Sequence, residues 1–202
     1  AYRKIHNTLH GSSRNAEGFF STRISTLASL MPEGSGGMRD SFLYNMTAVE
    51  RMRFREFLEY NDLDESNQAL MQMLFSGAQL HTSMHIGFVG SPNIGSVALN
   101  RFKDSDEFRA FGNLLGEGDR VFFISSIFGG TGAAGFPIMV KNIRAAADST
   151  LASRGFMRTA PIGALTLLPY FNIEHSRTSP INKTDFLLKT RSALHYYSKS
   201  LT

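Results

Sequence analysis

The chain has 202 residues, of which 42% are apolar and 19% charged, and its formal net charge is +4. It contains no cysteine, which excludes disulfides and thiolate metal sites, and no apolar run in it approaches membrane-spanning length. Lys and Arg are scattered among Asp and Glu, so the composition predicts an ordinary globular protein with no nucleic-acid partner.

The first part of the chain is predicted to be helical. Residues 1–42 show no clear organisation, whereas an apolar stripe predicts a helix over residues 45–60. Asp64 or Ser66 is positioned to cap a second helix, and Gly77 is expected to end it.

The middle of the chain alternates between strand and helix patterns. A short apolar run predicts a strand at residues 84–89, followed by the loop GSPNIG at residues 90–95. A helix is then predicted over residues 102–115. The side chains expected to pack inward from it are Phe108, Phe111 and Leu115.

The most informative stretch runs from residue 118 to residue 144. Its β-forming residues at 121–126 predict a strand that is buried on both faces. The small residues GGTG at 129–132 predict a turn, and Pro137 is expected to be the first residue of the following helix.

A glycine turn between a strand and a helix is suited to binding an anion. Main-chain N–H groups can converge on an oxygen there, and the helix adds its positive N-terminal end. Glycines let the backbone approach a phosphate because no Cβ intervenes. Hydroxyls of Thr131, Ser125 and Ser126 could add donors. The spacing alone is equally typical of a tight turn that binds nothing.

The last part of the chain predicts one more strand and a long helix. The strand is expected at residues 160–168, and the sequence PYFN follows it at residues 169–172. The helix is expected at residues 185–201. The residues predicted along its inward side are Phe186, Leu187, Thr190, Leu194, Tyr197 and Leu201.

Together these patterns predict an α/β protein. Strands near 84–89, 121–126 and 160–168 alternate with helices, as parallel crossovers require, so a mostly parallel sheet with helices on both faces is expected. A ligand would lie at the carboxyl ends of the strands, where the three loops emerge.

The sequence SSIFGGTGAAGF at residues 125–136 resembles the phosphate-binding signature of the tubulin/FtsZ superfamily, GGGTG(S/T)G. Residues 129–132 match the centre of that loop. Phe128 stands where the first glycine usually does, and Ala134 replaces the last. The resemblance implies a three-layer Rossmann-like GTPase domain of tubulin type.

The resemblance also implies which residues would contact a nucleotide. The phosphate-binding candidates are Gly129, Gly130, Thr131, Gly132, Ala133, Gly90, Ser91 and Asn93, with the loop at 90–95 on the terminal-phosphate side. The ribose and base candidates are Pro169, Asn172, Asn182 and Phe186. For these the simpler alternatives are that Pro169 ends a strand, Asn182 caps a helix and Phe186 packs in the core.

The function implied by the resemblance is guanine-nucleotide binding, with GTP or GDP as ligand and Mg²⁺ as an accompanying ion. GTP hydrolysis would be coupled to head-to-tail filament assembly in the cytoplasm. In the family an acidic loop of the next subunit serves hydrolysis, so no catalytic residue is predicted here. Residues 1–202 are then expected to be one nucleotide-binding domain, a portion of a longer chain whose C-terminal domain is absent.

Two alternatives stay open at this stage. The first is a non-catalytic scaffold or binding module of tubulin fold, which the altered residues Phe128 and Ala134 favour. The second is a degenerate P-loop GTPase, because residues 90–96 resemble GxPNxGK(S/T) and the NKTD at 182–185 resembles NKxD. This P-loop lacks its lysine, since Gly95 is followed directly by serine.

Overall fold

The computed structural model describes residues 51–85, 87–88, 90–146, 154–170 and 183–201, with the backbone alone at Arg154 and at 183–185. The predictions for residues 1–50 lie outside this part of the chain. So do two of the base and ribose candidates, Asn172 and Asn182.

Short helices open the described part of the chain. They are α1 (Phe54–Phe57), a 3₁₀ turn (Tyr60–Asp62), α2 (Glu65–Leu74) and α3 (Gly77–Leu80). The helix predicted at 45–60 is therefore wrong over its described half, where only α1 is α-helical. The left-handed Glu59, with φ of 52°, separates α1 from the 3₁₀ turn.

The caps of these helices were predicted in part. Asp64 is the N-cap of α2, and its carboxylate accepts a hydrogen bond from Asn67 N at 2.9 Å. This bond lowers the pKa of the Asp64 carboxyl. The expectation that Gly77 ends α2 is wrong. Ser76 and Gln79 form a capping box, so Gly77 begins α3 instead.

The described residues of the strand predicted at 84–89 do not form a strand. Met84, His85, Gly87 and Phe88 lie in bends and turns, and the nearest pairing is one isolated bridge between Arg53 and Ser83. Gly87 has a φ of +76°, and a residue in the left-handed region cannot continue an extended strand. Phe88 nevertheless packs in the core, so the apolar run at 84–89 reflects buried side chains and not a strand.

Two helical segments follow this turn. They are α4 (Pro92–Asn100), with a 3₁₀ turn (Arg101–Asp104) continuing it, and α5 (Asp106–Leu114). The single helix predicted at 102–115 is thus divided at Ser105. Its hydroxyl donates to Phe102 O at 2.7 Å and accepts from Phe108 N at 3.1 Å, so it ends one segment and caps the next. Phe108 and Leu115 are buried and Phe111 is half-buried, as predicted.

The sheet consists, in the described residues, of β1 (Val121–Ser126) and β2 (Ile162–Leu167). The two strands are parallel, with Val121 paired to Ile162 and Ser126 to Leu167. The helix α6 (Gly130–Ala145) lies between them in the chain and packs on β1. The two strands and their parallel pairing confirm that part of the prediction. The expectation that the strand at 160–168 is buried is wrong, because Leu165 is 50% exposed and Leu167 is 45% exposed.

The expectation that β1 is buried on both faces is wrong. Val121 is buried, but Phe122 is 63% exposed and Ile124 is 64% exposed. These two alternate with Val121 and Phe123, so they lie on the opposite face of the strand from the core formed with α6. β1 is therefore covered on one face in the structure.

The remaining helices are α7 (Arg154–Thr159) and α8 (Lys183–Ser200). One nitrogen of Arg144, near the end of α6, donates to the carbonyls of Met157, Arg158 and Ala160 at 3.1, 2.8 and 2.9 Å. These bonds satisfy carbonyl groups at the C-terminal end of α7, where no further helical N–H is available.

The inward side of α8 differs from the predicted one. Thr190 and Ala193 are buried and Tyr197 is half-buried, whereas Leu187 and Leu194 are about half exposed. The buried side of α8 carries small and hydroxyl-bearing residues because α8 packs closely against the start of α6. Thr190 and Tyr197 were predicted correctly, and Leu187 and Leu194 were not.

The core of the described residues is divided into a cluster beneath the sheet, a second one around α1 and α4, and a small third one between α6 and α8. The first is built from Phe102, Phe108, Leu115, Val121, Ile143, Ala146, Met157 and Ala160. The second is built from Phe54, Phe57, Phe75, Leu80, Met84, Phe88, Ile94 and Ala98. Helix α4 packs along α6, and this contact joins the first cluster to the second. The α/β class is confirmed, while the three-layer Rossmann-like arrangement of tubulin type stays a prediction.

Candidate functional site

The glycine segment follows β1, as predicted, but the turn predicted at 129–132 is wrong, because Gly130, Thr131 and Gly132 form the first turn of α6. Gly129 is the N-cap of α6 in an extended conformation, and the helix begins at Gly130. A Cβ added at Gly132 would lie 2.2 Å from Ser126 O, which leaves no space for one. Glycine is therefore required at 132 by the close packing of the first helical turn on the end of β1.

Three N–H groups of this first turn make no hydrogen bond to the described residues, although Gly130 itself is buried against Phe88 and Ser91. Ala133 N–H donates to Gly129 O at 3.2 Å. Within the described part of the chain, no acceptor is found for the N–H groups of Gly130, Thr131 and Gly132. The N–H groups of a first helical turn have no acceptor inside their own helix and attract anions.

The second predicted phosphate loop lies against the first. A Cβ added at Gly130 would lie 3.1 Å from Ser91 N and 3.4 Å from Gly90 N. Ser91 is the N-cap of α4, and its side chain makes no capping hydrogen bond. The start of α4 and the start of α6 are therefore adjacent, although Ser91 and Gly130 are 39 positions apart in the sequence.

A side chain of α8 completes the third side of this site. Lys189 Nζ lies 3.7 Å from the position that a Cβ of Gly90 would occupy. The sequence interpretation missed Lys189. Its spacing was nevertheless informative, since it lies three residues after Phe186 and so on the same side of α8 as that base-stacking candidate.

A cavity of about 680 Å³ opens between α4, α6 and α8 next to these groups. Its wall combines polar groups from α3, α4 and α8 with apolar groups from α6. The residues that line it are Gln79, Ser91, Pro92, Asn93, Ser96, Ala133, Pro137, Leu188, Lys189, Ser192, Ala193, Tyr196 and Tyr197. Asn93 Oδ1 accepts a hydrogen bond from Gln79 Nε2 at 3.2 Å, which holds one part of this wall in place.

The electrostatics of the cavity favour an anion. None of the described residues that line it is acidic. In the described part of the chain the one ion pair joins Arg109 and Asp106, so Lys189 has no carboxylate partner there. An ammonium group with no neighbouring carboxylate, beside two helix N-terminal ends, produces a positive local potential.

Pro137 occupies a different place from the predicted one. It lies inside α6, eight residues into the helix, and it is fully buried. Because proline has no N–H, it cannot donate to Ala133 O four residues earlier. Tyr197 supplies the missing donor, with its hydroxyl 2.8 Å from Ala133 O. Burial, with a smaller contribution from Tyr196, raises the pKa of Tyr197 to about 12, so the phenol stays a donor near neutrality.

Aromatic residues gather beside the glycine segment. Phe128, which immediately precedes it, has its ring centroid 5.5 Å from that of Phe186 on α8 and 6.4 Å from that of Tyr170 after β2. Pro169 is half-buried and adjoins Tyr170 in the chain. The structure therefore brings the described base and ribose candidates, Phe186 and Pro169, to the same end of the sheet as the phosphate loops.

The described residues hold no group of three His, Asp or Glu side chains that could bind a metal ion. Ser91, Asn93 and Ser96 offer neutral oxygens on the cavity wall. Any Mg²⁺ bound with a nucleotide here would therefore take most of its ligands from phosphate and water oxygens, as this ion commonly does. In the described part of the chain, no helix is both long and apolar enough to cross a membrane.

Comparisons of the chain with models of protein families, with curated proteins and with solved structures found no match. The structure itself bears on the P-loop alternative. A P-loop follows a strand, but the described residues before loop 90–95 form turns, and Lys183, Thr184 and Asp185 of the NKTD sequence lie in α8. The degenerate P-loop interpretation therefore lacks its structural context.

Proposed function

We propose that this protein is a tubulin-like guanine-nucleotide-binding protein whose phosphate site lies where the starts of α4 and α6 meet. The observation that carries the proposal is the close approach of Gly130 to the N–H groups of Gly90 and Ser91. Two segments that were predicted separately as phosphate-binding lie together. The Ser91 N–H donates to Phe88 O at 2.8 Å, so the donors without an acceptor among the described residues are those of Gly130, Thr131 and Gly132.

The chemistry of the site suits a polyphosphate chain. The N–H groups of Gly130, Thr131 and Gly132 would donate to phosphate oxygens, and the exposed Thr131 can add its hydroxyl. Backbone donors at two helix starts favour negative charge without any further side chain. The adjoining cavity is lined by Ser91 and Ala133 but by none of residues 129–132, and its volume lies in the range of small-molecule sites.

The preference for guanine rests on the resemblance to the tubulin/FtsZ superfamily. In that family an aromatic residue and an asparagine near the start of the long helix contact the base. Phe186, in the first turn of α8, is beside the glycine segment through its contact with Phe128. This position supports a role for Phe186 next to the base.

Hydrolysis and head-to-tail assembly are the second part of the proposal. Both follow from the family resemblance, in which the neighbouring subunit completes the active site. The alternative is a module that binds nucleotide without turnover. Phe128 favours this alternative, because a packed aromatic ring stands where the family has a glycine. Release of inorganic phosphate from GTP, measured against protein concentration, separates the two.

The first test is equilibrium binding of labelled GTP, GDP and ATP to the full chain. GTP and GDP are expected to bind at micromolar concentration and ATP more weakly. If none of the three binds while the protein is folded, the proposal is lost.

A matched pair of glycine variants sharpens this test. In Gly130→Ala the new Cβ would meet Phe88 Cβ at 2.9 Å and Ser91 N at 3.1 Å, which forces the two loops apart. In Gly135→Ala, on the same helix, the nearest atom is Leu99 Cδ1 at 3.5 Å, an ordinary contact. We expect Gly130→Ala to weaken nucleotide binding and Gly135→Ala to retain it, with circular dichroism establishing that both are folded.

A further inference from the structure

Lys189 differs from Lys199, on the same helix, in what it faces. Its ammonium nitrogen lies 3.7 Å from the Cβ position of Gly90, and the residue lines the cavity between α4, α6 and α8. Lys199, on the last turn of the same helix, is exposed and does not line this cavity. The long side chain of Lys189 therefore extends over the Gly90 loop, where it meets no carboxylate among the described residues.

The Gly90 loop is the one that the resemblance places on the terminal-phosphate side. Gly90 N and Ser91 N lie within 3.4 Å of the Cβ position of Gly130, so Lys189 and the glycine segment of α6 approach this loop from different helices. A ligand bound on the first-turn N–H groups of α6 and extending past Gly90 would bring its outermost phosphate to the ammonium.

We propose that Lys189 binds the terminal phosphate and makes the site selective for nucleoside triphosphates over diphosphates. This inference rests on the proposed function of the site. Lys189 would supply from α8 the positive charge that a P-loop takes from a lysine within its own loop, a residue that this chain lacks after Gly95. Lysine serves as a point charge for phosphate and needs no fixed bidentate geometry.

The selectivity follows from charge. A terminal phosphate adds negative charge at the position of the ammonium, whereas a diphosphate that ends earlier leaves the ammonium in water. A hydrogen bond to a charged group changes an affinity by about tenfold or more. Loss of the ammonium should thus reduce the affinity for triphosphate and leave the affinity for diphosphate nearly unchanged.

The experiment measures the dissociation constants of GDP and of a non-hydrolysable GTP analogue for the full chain by isothermal titration calorimetry. The variants are Lys189→Ala, Lys189→Arg and the control Lys199→Ala. Lys189 is exposed, so its replacement should not impair folding, and a thermal melt of each variant checks this.

We expect the wild type to bind the triphosphate analogue more tightly than GDP. Lys189→Ala should lose about tenfold in affinity for the analogue and change the affinity for GDP by less than about twofold. Lys189→Arg should keep most of the preference because it keeps the charge, and Lys199→Ala should behave as the wild type.

Three results would overturn the inference, and they are distinguishable. A wild type that binds neither ligand removes the proposed function and this inference with it. A wild type that binds both ligands equally shows that the site does not recognise the terminal phosphate. A wild type with the preference that Lys189→Ala retains leaves the nucleotide site intact but removes Lys189 from it.

Discussion

Gly132 shows how a single absent side chain determines the start of α6. Its position against Ser126 O allows the helix to begin immediately after β1, and this places the first-turn N–H groups at the carboxyl end of the strand. The sequence interpretation assigned the glycines of this segment to ligand contact. At Gly132 the structure gives an additional and sufficient reason, which is backbone packing.

Substitution of this glycine by alanine should destabilise the fold. Gly132→Ala places a Cβ 2.2 Å from a backbone oxygen, so β1 or α6 must move. We expect a loss at the upper end of the range of about 1–3 kcal/mol that overpacking costs. The free energy of unfolding in urea measures it.

The control is Gly155→Ala in α7, where an added Cβ would meet nothing within 4 Å. The same change there should be neutral or stabilising by up to about 1 kcal/mol, because alanine favours helix. If the two variants unfold at the same urea concentration, the close contact at Gly132 does not exist as described.

At the scale of elements, the pair α6 and α8 is held together around an interrupted helix. Pro137 leaves Ala133 O without its helical donor, and the Tyr197 hydroxyl replaces that donor from α8. The bond fixes how α8 lies along α6, and so where Lys189 meets the Gly90 loop.

A double-mutant cycle should detect this replacement. Tyr197→Phe leaves Ala133 O without a donor, and an unsatisfied buried group costs about 1–3 kcal/mol. In the Pro137→Ala background the same change should cost less, because an alanine at position 137 would supply a helical N–H to Ala133 O. Urea unfolding of the four proteins gives the coupling energy.

Tyr196→Phe serves as the control for this cycle, since Tyr196 is 42% exposed. It should change the free energy of unfolding by no more than about 0.5 kcal/mol. Equal costs of Tyr197→Phe in both backgrounds would show that Pro137 has no part in the bond.

The same tyrosine predicts a dependence of stability on alkaline pH. Burial raises the pKa of Tyr197 to about 12 from its ordinary value of 10.0, so the folded state favours the protonated phenol. Its contribution is complete below pH 10 and is lost as the pH rises through about 12. The difference in unfolding free energy between the wild type and Tyr197→Phe should therefore be constant below about pH 10 and shrink above it. A difference that grows in that alkaline range would contradict the assignment.

The elements that were predicted correctly are those whose signal is local. β1, β2, α2 and most of α8 follow from runs of apolar residues and from caps within a few positions. The errors arise where long-range packing or backbone geometry decides. The positive φ of Gly87 prevents a strand at 84–89, and the apolar run there reflects the burial of Met84 and Phe88 in a turn.

The candidate site shows the same division. The segments at 90–95 and 129–132 could be found because glycine patterns are visible in sequence, but residues 92–95 and 130–132 form the first turns of α4 and α6 and not loops. Their mutual approach comes from the packing of α4 along α6, and not from the sheet edge that the strand predicted at 84–89 would have supplied. The contacts of Lys189 and Tyr197 could not be predicted, although Tyr197 was expected on the inward side of its helix. No local pattern indicates which distant backbone group a helical side chain contacts. Their roles depend on how α8 packs on α6.

At the scale of the whole molecule, ligand binding and stability are linked. A ligand that binds only the folded chain raises the unfolding free energy by about 2.7 kcal/mol at a free concentration of about 100 times its dissociation constant. GTP should therefore raise the melting temperature at concentrations where it saturates the site, and ATP at the same concentration should raise it less. Differential scanning fluorimetry measures both shifts.

Head-to-tail assembly belongs to the same scale, because heterologous contacts that do not close produce filaments. Light scattering with GTP and without nucleotide tests it independently of binding. If GTP raises the melting temperature but does not increase light scattering, the non-catalytic module is favoured. If GTP and ATP raise the melting temperature equally, the guanine preference is contradicted.

Tyr197, whose hydroxyl bonds to α6, is also an intrinsic fluorophore of the protein. The chain has no tryptophan and six tyrosines, so its near-ultraviolet fluorescence comes from phenol rings alone. Two of these rings, Tyr196 and Tyr197, line the cavity beside Lys189. Occupation of the cavity can thus be followed from the emission of the unlabelled chain, without attaching a dye to the nucleotide or to the protein.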